Sequence, residues 1–310
     1  MLHSGKNITV GLELSGQILR AVCIEHRQDR PRLLALEQHH LPRGADGALS
    51  SRGSIGRIIK SGNKARRIVV NIPGSAVHLR KIQVEISETD HLDDWVQWEA
   101  QQYLPGSPDD YLIEYQKLNS HQTDLLDILL VAARAEDVRR RVRFFHAARL
   151  QPAIMDADPL ALQNAFETNY PGLHDLPVLL VNIEEDAATM VATRSGIPEG
   201  IISVETPREG GPPTDDIGRI IDQLKGRIQS DKESRPSGVR MLLSGGSSRL
   251  GEMANLFSVR EEFDVEFAEP FRELAVLPDL RSRLEHQENL EQPFRASEFM
   301  LATGLALREP

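Results

Sequence analysis

The chain has 310 residues, which at roughly 150 residues per domain predicts two domains with cores of their own. Its formal net charge of -10 at pH 7 argues against a general binding surface for nucleic acid or anionic membrane. One cysteine, Cys23, excludes an intrachain disulfide; no Cys/His cluster has zinc spacing, and no apolar run reaches the roughly 18 residues of a membrane span. We therefore expect a cytoplasmic protein without a metal site, without nucleic acid and without direct membrane insertion.

The start of the chain alternates apolar and polar side chains over short stretches separated by turns, which is typical of half-buried strands. Strands are predicted over 7–14, 18–25 and 32–41, joined closely enough to form an antiparallel meander. A short helix is predicted at 55–59 and a buried strand at 67–72. Three meandering strands, a helix and a further strand match the start of an actin-like or ribonuclease-H-like domain.

The next stretch, 77–152, predicts a compact unit of its own in the order β-α-β-β-α. Its elements are predicted, in order, at 77–86, 91–103, 112–118, 127–133 and 137–150. Pro105, Gly106 and Pro108 end the first of its helices. The second helix is rich in arginine, a pattern that is more often a solvated face than a phosphate site.

The opening pattern recurs in the second part of the chain. A returning strand at 153–156 and a helix at 159–170 lead to a second meander, with strands predicted at 178–184, 187–194 and 200–205. A Gly/Pro linker, an amphipathic helix, a strand, a helix and a last strand follow, predicted at 207–213, 215–230, 239–243, 250–257 and 264–267. A polar stretch at 278–293 then precedes a helix at 299–307.

Two meander-plus-helix halves in one chain predict an α/β protein with a duplicated actin-like (ribonuclease-H-like) fold and a nucleotide cleft between the halves. We assign the first half to 1–76 and 153–177, with a C-terminal helix at 295–310 that packs back on it. The inserted unit takes 77–152, and the second half takes 178–294.

A glycine turn, Ser244–Ser248, follows the predicted strand at 239–243 and precedes a helix. Gly245 and Gly246 permit positive φ angles and let another group approach the backbone closely. A strand, a glycine turn and a helix form a place where the polar groups of a ligand can contact main-chain N–H groups. The alternative is an ordinary connection between a strand and a helix, because a lone Gly-Gly is a weak signal.

Several motifs extend over nearly the whole chain. They read WEAQQYLP at 98–105, EYQ at 114–116, LLVAARAEDV at 129–138, MDADPLALQNAF at 155–166, LLSGGSSRLG at 242–251, EPF at 269–271 and GLAL at 304–307. In kind and order they resemble the motifs of the PilM family, the cytoplasmic actin-like proteins of type IV pilus assembly. If nucleotide binding is retained, the resemblance implies an ATP and magnesium site formed by Glu13, Ser15, Gly16, Asn182, Gly245 and Gly246.

The departures from the family pattern fall on this nucleotide site. The family's I-D-I-G-S-S loop reads Leu12-Glu13-Leu14-Ser15-Gly16-Gln17 here, and its D-I-G loop reads Asn182-Ile183-Glu184. An Asp that would position a magnesium-bound water is lost, and Glu184 replaces a glycine that would meet phosphate. The linker at 207–213 leads almost directly into the next helix, which leaves no room for the family's nucleotide-covering helical subdomain. We therefore expect a scaffold without catalytic residues that binds neither ATP nor magnesium.

The resemblance also implies a partner. In the family, a short N-terminal cytoplasmic peptide of PilN, a bitopic inner-membrane protein, docks beside the inserted subdomain. The residues predicted to line or support that groove are Trp95, Trp98, Tyr103 and Tyr111, and ordinary core packing is the alternative for each. We expect a scaffold that lies at the inner membrane through this partner and links it to a motor ATPase. Further copies of the chain in a ring are another candidate partner.

Two alternative functions stay open at this point. One is an ATP-binding protein, or a weak ATPase or kinase, on the same fold. Such an enzyme needs a carboxylate for magnesium or for activation of a hydroxyl, and Asp156 is the best candidate base. The other is a GspL-like cytoplasmic scaffold of a type II secretion system.

Overall fold

The computed structural model describes residues 7–41, 67–85, 91–118, 125–205, 214–228, 239–281 and 295–308. The predicted helix at 55–59, the linker at 207–213 and most of the polar stretch at 278–293 lie outside these ranges. Among the helices within them, none combines the length and the apolar character needed to cross a lipid bilayer.

The strands and helices follow the predicted order. The strands are β1 (Asn7–Ser15), β2 (Ile18–His26), β3 (Arg32–His40), β4 (Arg67–Ile72), β5 (Val77–Glu85), β6 (Tyr111–Lys117), β7 (Leu125–Arg134), β8 (Ile154–Ala157), β9 (Val178–Ile183), β10 (Ala187–Arg194), β11 (Ile197–Glu205), β12 (Val239–Ser244), β13 (Phe263–Phe267) and β14 (Ala275–Val276). The helices are α1 (Leu92–Ala100), α2 (Ala135–Ala147), α3 (Asp158–Asn169), α4 (Thr214–Ile228), α5 (Leu250–Ser258) and α6 (Met300–Leu307).

Two of the sheets repeat one topology. In the first, the order is β14-β3-β2-β1-β4-β8, with β1, β2 and β3 antiparallel and with β4 and β8 parallel to β1. In the second, the order is β11-β10-β9-β12-β13, with the same change from an antiparallel meander to parallel strands. This repeated order, three meandering strands followed by two parallel ones, is the duplicated actin-like arrangement, and it confirms the predicted α/β fold.

The core of the second half is formed by buried strand residues and by the apolar face of one helix. Every residue of β9 is buried, as expected for a central strand covered on both faces. On α4, Ile217, Ile221 and Leu224 recur at helical spacing and lie in the core of the second half, where the helix packs against β10 and β11. Each of these side chains contributes about 1.5–3 kcal/mol through burial, which is enough to hold an otherwise polar helix on the sheet.

A shared core joins the two halves beneath the cleft. All eight residues of α6 are buried, and the helix packs on α3 and β1. The approach is close because two glycines lack side chains: a Cβ on Gly304 would lie 1.7 Å from the carbonyl oxygen of Ala161, and one on Gly11 would lie 2.3 Å from that of Ala302. The same cluster includes Val69 of the first sheet and Leu180 of the second, so the halves share apolar packing.

The inserted unit has the predicted order β-α-β-β-α, as β5, α1, β6, β7 and α2. Its sheet is antiparallel in the order β5-β7-β6. α1 covers one face of the sheet through Leu92, Val96 and Ala100. One strand departs from the assigned division: β14, placed by sequence with the second half, pairs with β3 in the first sheet, and Ala275 N–H donates to Pro31 O at 2.9 Å.

Candidate functional site

A cleft of about 440 Å³ lies between the two halves, a volume in the range of small-molecule sites. It is lined by the end of β1, the end of β4, the start of α3 and the turn after β9, and by residues of the end of β7 and of α2 in the inserted unit, which include Arg134, Arg140 and Arg141. Ligands of open α/β sheets bind at this carboxyl edge of the strands. Four of the residues assigned to a nucleotide site line this cleft: Glu13, Ser15, Gly16 and Asn182.

Next to this cleft, a buried arginine joins the two halves. Arg20 of β2 is fully buried, and its Nη1 donates to Glu13 Oε1 at 2.7 Å and to Glu184 Oε1 at 3.0 Å. Its Nε donates to Gln38 Oε1 on β3 at 2.9 Å. Glu13 lies directly opposite Arg20 in the β1–β2 pairing, whereas Glu184 comes from the second half. Arg20 is therefore a charged link between the halves.

Both glycines of the Gly-Gly turn pack against protein atoms. Gly245 has a φ of 106°, and a Cβ there would lie 2.2 Å from Ile183 O. A Cβ on Gly246 would lie 1.8 Å from Arg20 Nη2. The lack of side chains at this turn is therefore required by the β9 end and by the Arg20 guanidinium, and neither glycine lines the cleft.

The N–H groups of this turn already have acceptors within the chain. Gly245 N–H donates to Ser297 O at 3.3 Å, and Ser247 N–H donates to Ile183 O at 3.0 Å. Gly246 N–H donates to Glu184 Oε1 at 3.0 Å, and Ser248 N–H donates to Glu185 Oε1 at 2.7 Å. The turn presents backbone donors as a phosphate-binding turn does, but carboxylates and carbonyls of the chain accept them.

Burial dominates the electrostatics around Arg20. It raises the pKa of Glu13 and of Glu184 above the ordinary value, because water is excluded, while the Arg20 charge opposes that rise. Burial also raises the pKa of Glu298, next to α6, with Arg20 again opposing. The single positive charge of Arg20 cannot balance the negative charges of two buried carboxylates, so the cluster favours protonation of one of them.

A third carboxylate, Asp158, lies at the start of α3 on the cleft wall. It accepts hydrogen bonds from Asn71 Nδ2 at 2.9 Å and from Gly74 N–H at 3.1 Å. Burial raises the pKa of Asp158 to about 6, with the Asn71 hydrogen bond and the nearby Arg141 charge lowering it. Arg141 itself is half-buried and donates from Nη1 to Leu14 O at 2.8 Å, which ties α2 to the end of β1.

Asp156, the candidate base, is not among the residues that line the cleft. It lies in β8, and its Oδ1 accepts from Ala157 N–H at 2.9 Å. Its Oδ2 lies 3.8 Å from Arg308 Nε. Its partners are thus structural, and the pKa is raised because the group is buried.

A second concave surface lies between the inserted unit and the second half. This groove, of about 340 Å³, is lined by residues 77–80 of β5, by Tyr103 and Leu104, and by residues 201–203 of β11. Consecutive residues of a strand point to opposite faces of the sheet, so a groove over one face would be lined by every second residue. Here four consecutive residues of β5 and three of β11 line the groove, so it runs along the edges of these strands. We call it the β5–β11 groove.

The four aromatic residues assigned to a partner site occupy different places. Tyr103 is 37% exposed and lines the β5–β11 groove, with the Arg80 guanidinium 3.6 Å from its ring centroid. Tyr111 is buried and donates to Pro105 O at 3.0 Å. Trp95 packs against the core of the inserted unit. Trp98 is 57% exposed and does not line the groove. Their part in partner binding stays a prediction.

A family model described as type IV pilus assembly protein PilM matches residues 11–192, more than half of the chain. The chain belongs to the PilM family. A chain of a solved PilM-PilN type IV pilus biogenesis complex is 23% identical, with 99% of each chain covered and a TM-score of 0.73. That similarity agrees with the fold defined by the sheets.

Two more distant solved structures have TM-scores of 0.49. One is a Bacteroides thetaiotaomicron protein with an actin-like ATPase fold and unknown function, 10% identical over 88% of this chain and 98% of its own. The other is the cytoplasmic domain of EpsL, an inner-membrane component of the type II secretion system of Vibrio cholerae, 12% identical over 98% and 95%.

Sequence reasoning missed Arg20, the buried cation next to the cleft in this PilM family member. A signal was present, because Arg20 is a single charge in the otherwise apolar first seven residues of β2. A two-residue turn after Ser15 also sets Glu13 opposite Arg20. Asp158 and Gln38 gave no comparable signal, since their roles depend on contacts between distant elements.

Proposed function

We propose that this protein is a non-catalytic actin-like scaffold of a type IV pilus or related secretion machine. It binds the N-terminal cytoplasmic tail of a PilN-like inner-membrane protein in the β5–β11 groove. Membership of the PilM family supports the assembly role. The solved relative described as a PilM-PilN complex supports the choice of partner. The observation that carries the proposal for this chain is the groove itself.

The groove suits an extended peptide. Among the described strands, β5 and β11 are each terminal in their sheets, so each has one edge that no strand pairs with. Such edges accept an added strand through main-chain hydrogen bonds, and adjacent pockets select side chains. Val77, Leu79 and Ile201 supply apolar lining, and Ser203 and Arg80 supply polar groups. A short peptide with alternating small apolar side chains matches this lining.

Tyr103 is the aromatic residue best placed to contact such a peptide. The Arg80 guanidinium holds one side of its ring, and its hydroxyl donates to Glu99 Oε1 at 2.5 Å. A side chain held on two sides loses little freedom on binding, which favours affinity. Micromolar affinity, about -8 kcal/mol, is a reasonable expectation for so short a peptide.

The test compares Tyr103→Ala with Trp98→Ala in titrations of the PilN-like tail peptide by isothermal calorimetry. We expect Tyr103→Ala to weaken binding about tenfold or more, the effect of losing roughly 1.4 kcal/mol at an interface centre. Trp98→Ala is the matched control, since Trp98 is more exposed and does not line the groove. Weakening by Trp98→Ala alone would place the peptide on α1 and contradict the groove assignment.

The remaining parts of the proposal concern location and the motor. A scaffold bound to the cytoplasmic tail of a membrane protein lies at the inner membrane without inserting into it. The same binding would bring a motor ATPase near the membrane complex. Co-purification of the motor with this protein, present with the PilN-like protein and absent without it, is the corresponding test.

A further inference from the structure

The turn between β9 and β10 carries three consecutive carboxylates, Glu184, Glu185 and Asp186, which we call the acidic turn. Glu184 accepts from Arg20 Nη1 and from Gly246 N–H, both at 3.0 Å. Glu185 accepts from Ser248 N–H at 2.7 Å. Asp186 lies against the β1–β2 turn, with its Oδ2 3.1 Å from where a Cβ on Gly16 would be.

These contacts are the ones that a phosphate group seeks. Bound phosphates accept from backbone N–H groups at glycine turns and helix starts, and they pair with arginine. Here the N–H groups of residues 246 and 248, in the turn before α5, both donate to side chains of the acidic turn. Arg20 is fully buried, and its Nη1 and Nε already have acceptors within the chain.

Magnesium-ATP, which an actin-like ATPase fold implies, does not fit these residues. The cleft volume of about 440 Å³ would admit it, so the obstacle is chemical. The turn's donors are engaged, and the cleft lining carries six carboxylates against three arginines. Two of those arginines, Arg134 and Arg140, already pair with Asp137, so a triphosphate would meet an excess of negative charge. Two like charges 4 Å apart repel by about 1 kcal/mol even in water and by more where water is excluded.

We propose that the acidic turn is a built-in substitute for the phosphate groups of a nucleotide, which links the two halves through Arg20 and keeps nucleotide out of the cleft. A nucleotide in such a cleft contacts both halves and holds them together. In this chain Arg20 comes from the first half and Glu184 from the second, so the link is intramolecular. The closed arrangement then needs no ligand, as suits a permanent scaffold, and it does not depend on which partner the groove binds.

The test removes the internal anion. In Glu184→Ala, Arg20 keeps Glu13 as its partner, so the buried charges still balance and folding is expected. The vacated position should accept an external anion: sodium pyrophosphate should raise the melting temperature of Glu184→Ala and leave that of the unaltered protein unchanged. Magnesium-ATP should leave the unaltered protein unchanged as well. Glu199→Ala, an exposed acid on β11, is the matched control for loss of one negative charge.

A second variant keeps the proposal testable if Glu184→Ala does not fold. Glu185 is exposed, so Glu185→Ala should fold normally, and the N–H of Ser248 should exchange its hydrogen at least tenfold faster. The proposal is overturned if magnesium-ATP or pyrophosphate stabilises the unaltered protein. It is equally overturned if a folded Glu184→Ala gains no response to pyrophosphate, or if exchange at Ser248 is the same in Glu185→Ala.

Discussion

Replacing Arg20 by methionine removes the buried cation next to the cleft while keeping a side chain of similar length. Glu13 Oε1 and Glu184 Oε1 then lose a donor that lies 2.7 and 3.0 Å away. Both carboxylates are buried, so neither can turn to water, and both halves lose their charged link. The variant can restore neutrality only by taking up a proton.

The free energy of unfolding that Arg20→Met loses can be worked out from the cost of taking up this proton. In the unaltered protein the cluster already favours one extra proton, since burial raises the pKa of Glu13 and of Glu184. In Arg20→Met the carboxylate that is still charged has no cation beside it, so it must be protonated as well. Protonating a glutamate of ordinary pKa 4.5 at pH 7 costs about 3.4 kcal/mol. This agrees with the roughly 3–5 kcal/mol measured when one partner of a buried ion pair is removed.

The same reasoning predicts a pH dependence with a definite sign. The native state of Arg20→Met must bind a proton that its unfolded state releases, so its free energy of unfolding falls as pH rises above 4.5. The loss relative to the unaltered protein should be about 3–4 kcal/mol at pH 7 and below about 1 kcal/mol near pH 5.

The assay is urea unfolding followed by circular dichroism at both pH values. Arg240→Met is the matched control, because Arg240 of β12 also has two acidic partners, Asp264 at 3.1 Å and Glu266 at 3.0 Å, but is partly exposed. Exposed pairs contribute about 0–1 kcal/mol, so the control should lose little at either pH. Equal losses in the two variants, or a loss in Arg20→Met that does not change with pH, would refute the reasoning.

Three further predictions use the same measurements. Burial raises the pKa of Glu13, so the folded state holds a proton that the unfolded state releases, and the free energy of unfolding falls as pH rises above 4.5. Glu13→Gln should make that decline shallower by up to about 1.4 kcal/mol per pH unit. An unchanged slope would contradict this prediction. Gly246→Ala places a Cβ 1.8 Å from Arg20 Nη2 and should cost about 1–3 kcal/mol, and less in the Arg20→Met background. Trp95→Ala should destabilise the inserted unit by about 3 kcal/mol, because Trp95 packs against its core. Trp98→Ala should cost under about 1 kcal/mol, because Trp98 is largely exposed. A lower melting temperature for Trp98→Ala than for Trp95→Ala would contradict this prediction.

The order and kind of the elements could be predicted from the sequence, because both depend on local periodicity. Alternation over 7–14 marked β1, and the spacing of Ile217, Ile221 and Leu224 marked α4. The repeat of the meander in both halves then predicted the duplicated fold, which the sheet order confirms. These signals lie within a few residues of one another.

The cleft could be predicted only in part. Glu13, Ser15 and Gly16 reach it because they end β1, and strand ends in this topology meet at one edge. The sequence departures around Glu184 pointed to a changed site. They did not indicate what Glu184 contacts, and Gly245 and Gly246 proved to pack on Ile183 and Arg20.

The contacts around Arg20 and the borders of the β5–β11 groove depend on the tertiary structure and could not be predicted from the sequence. Arg20 and Glu184 are 164 residues apart, and β5 and β11 border one groove from two different sheets. Periodicity states which face of an element is buried, but not which distant element covers it. That choice depends on how the halves close over α3 and α6, where Gly304 lets the backbones approach. The energy that selects one partner for Arg20 comes from excluding water around the whole cluster, and no local segment of the chain contains that information.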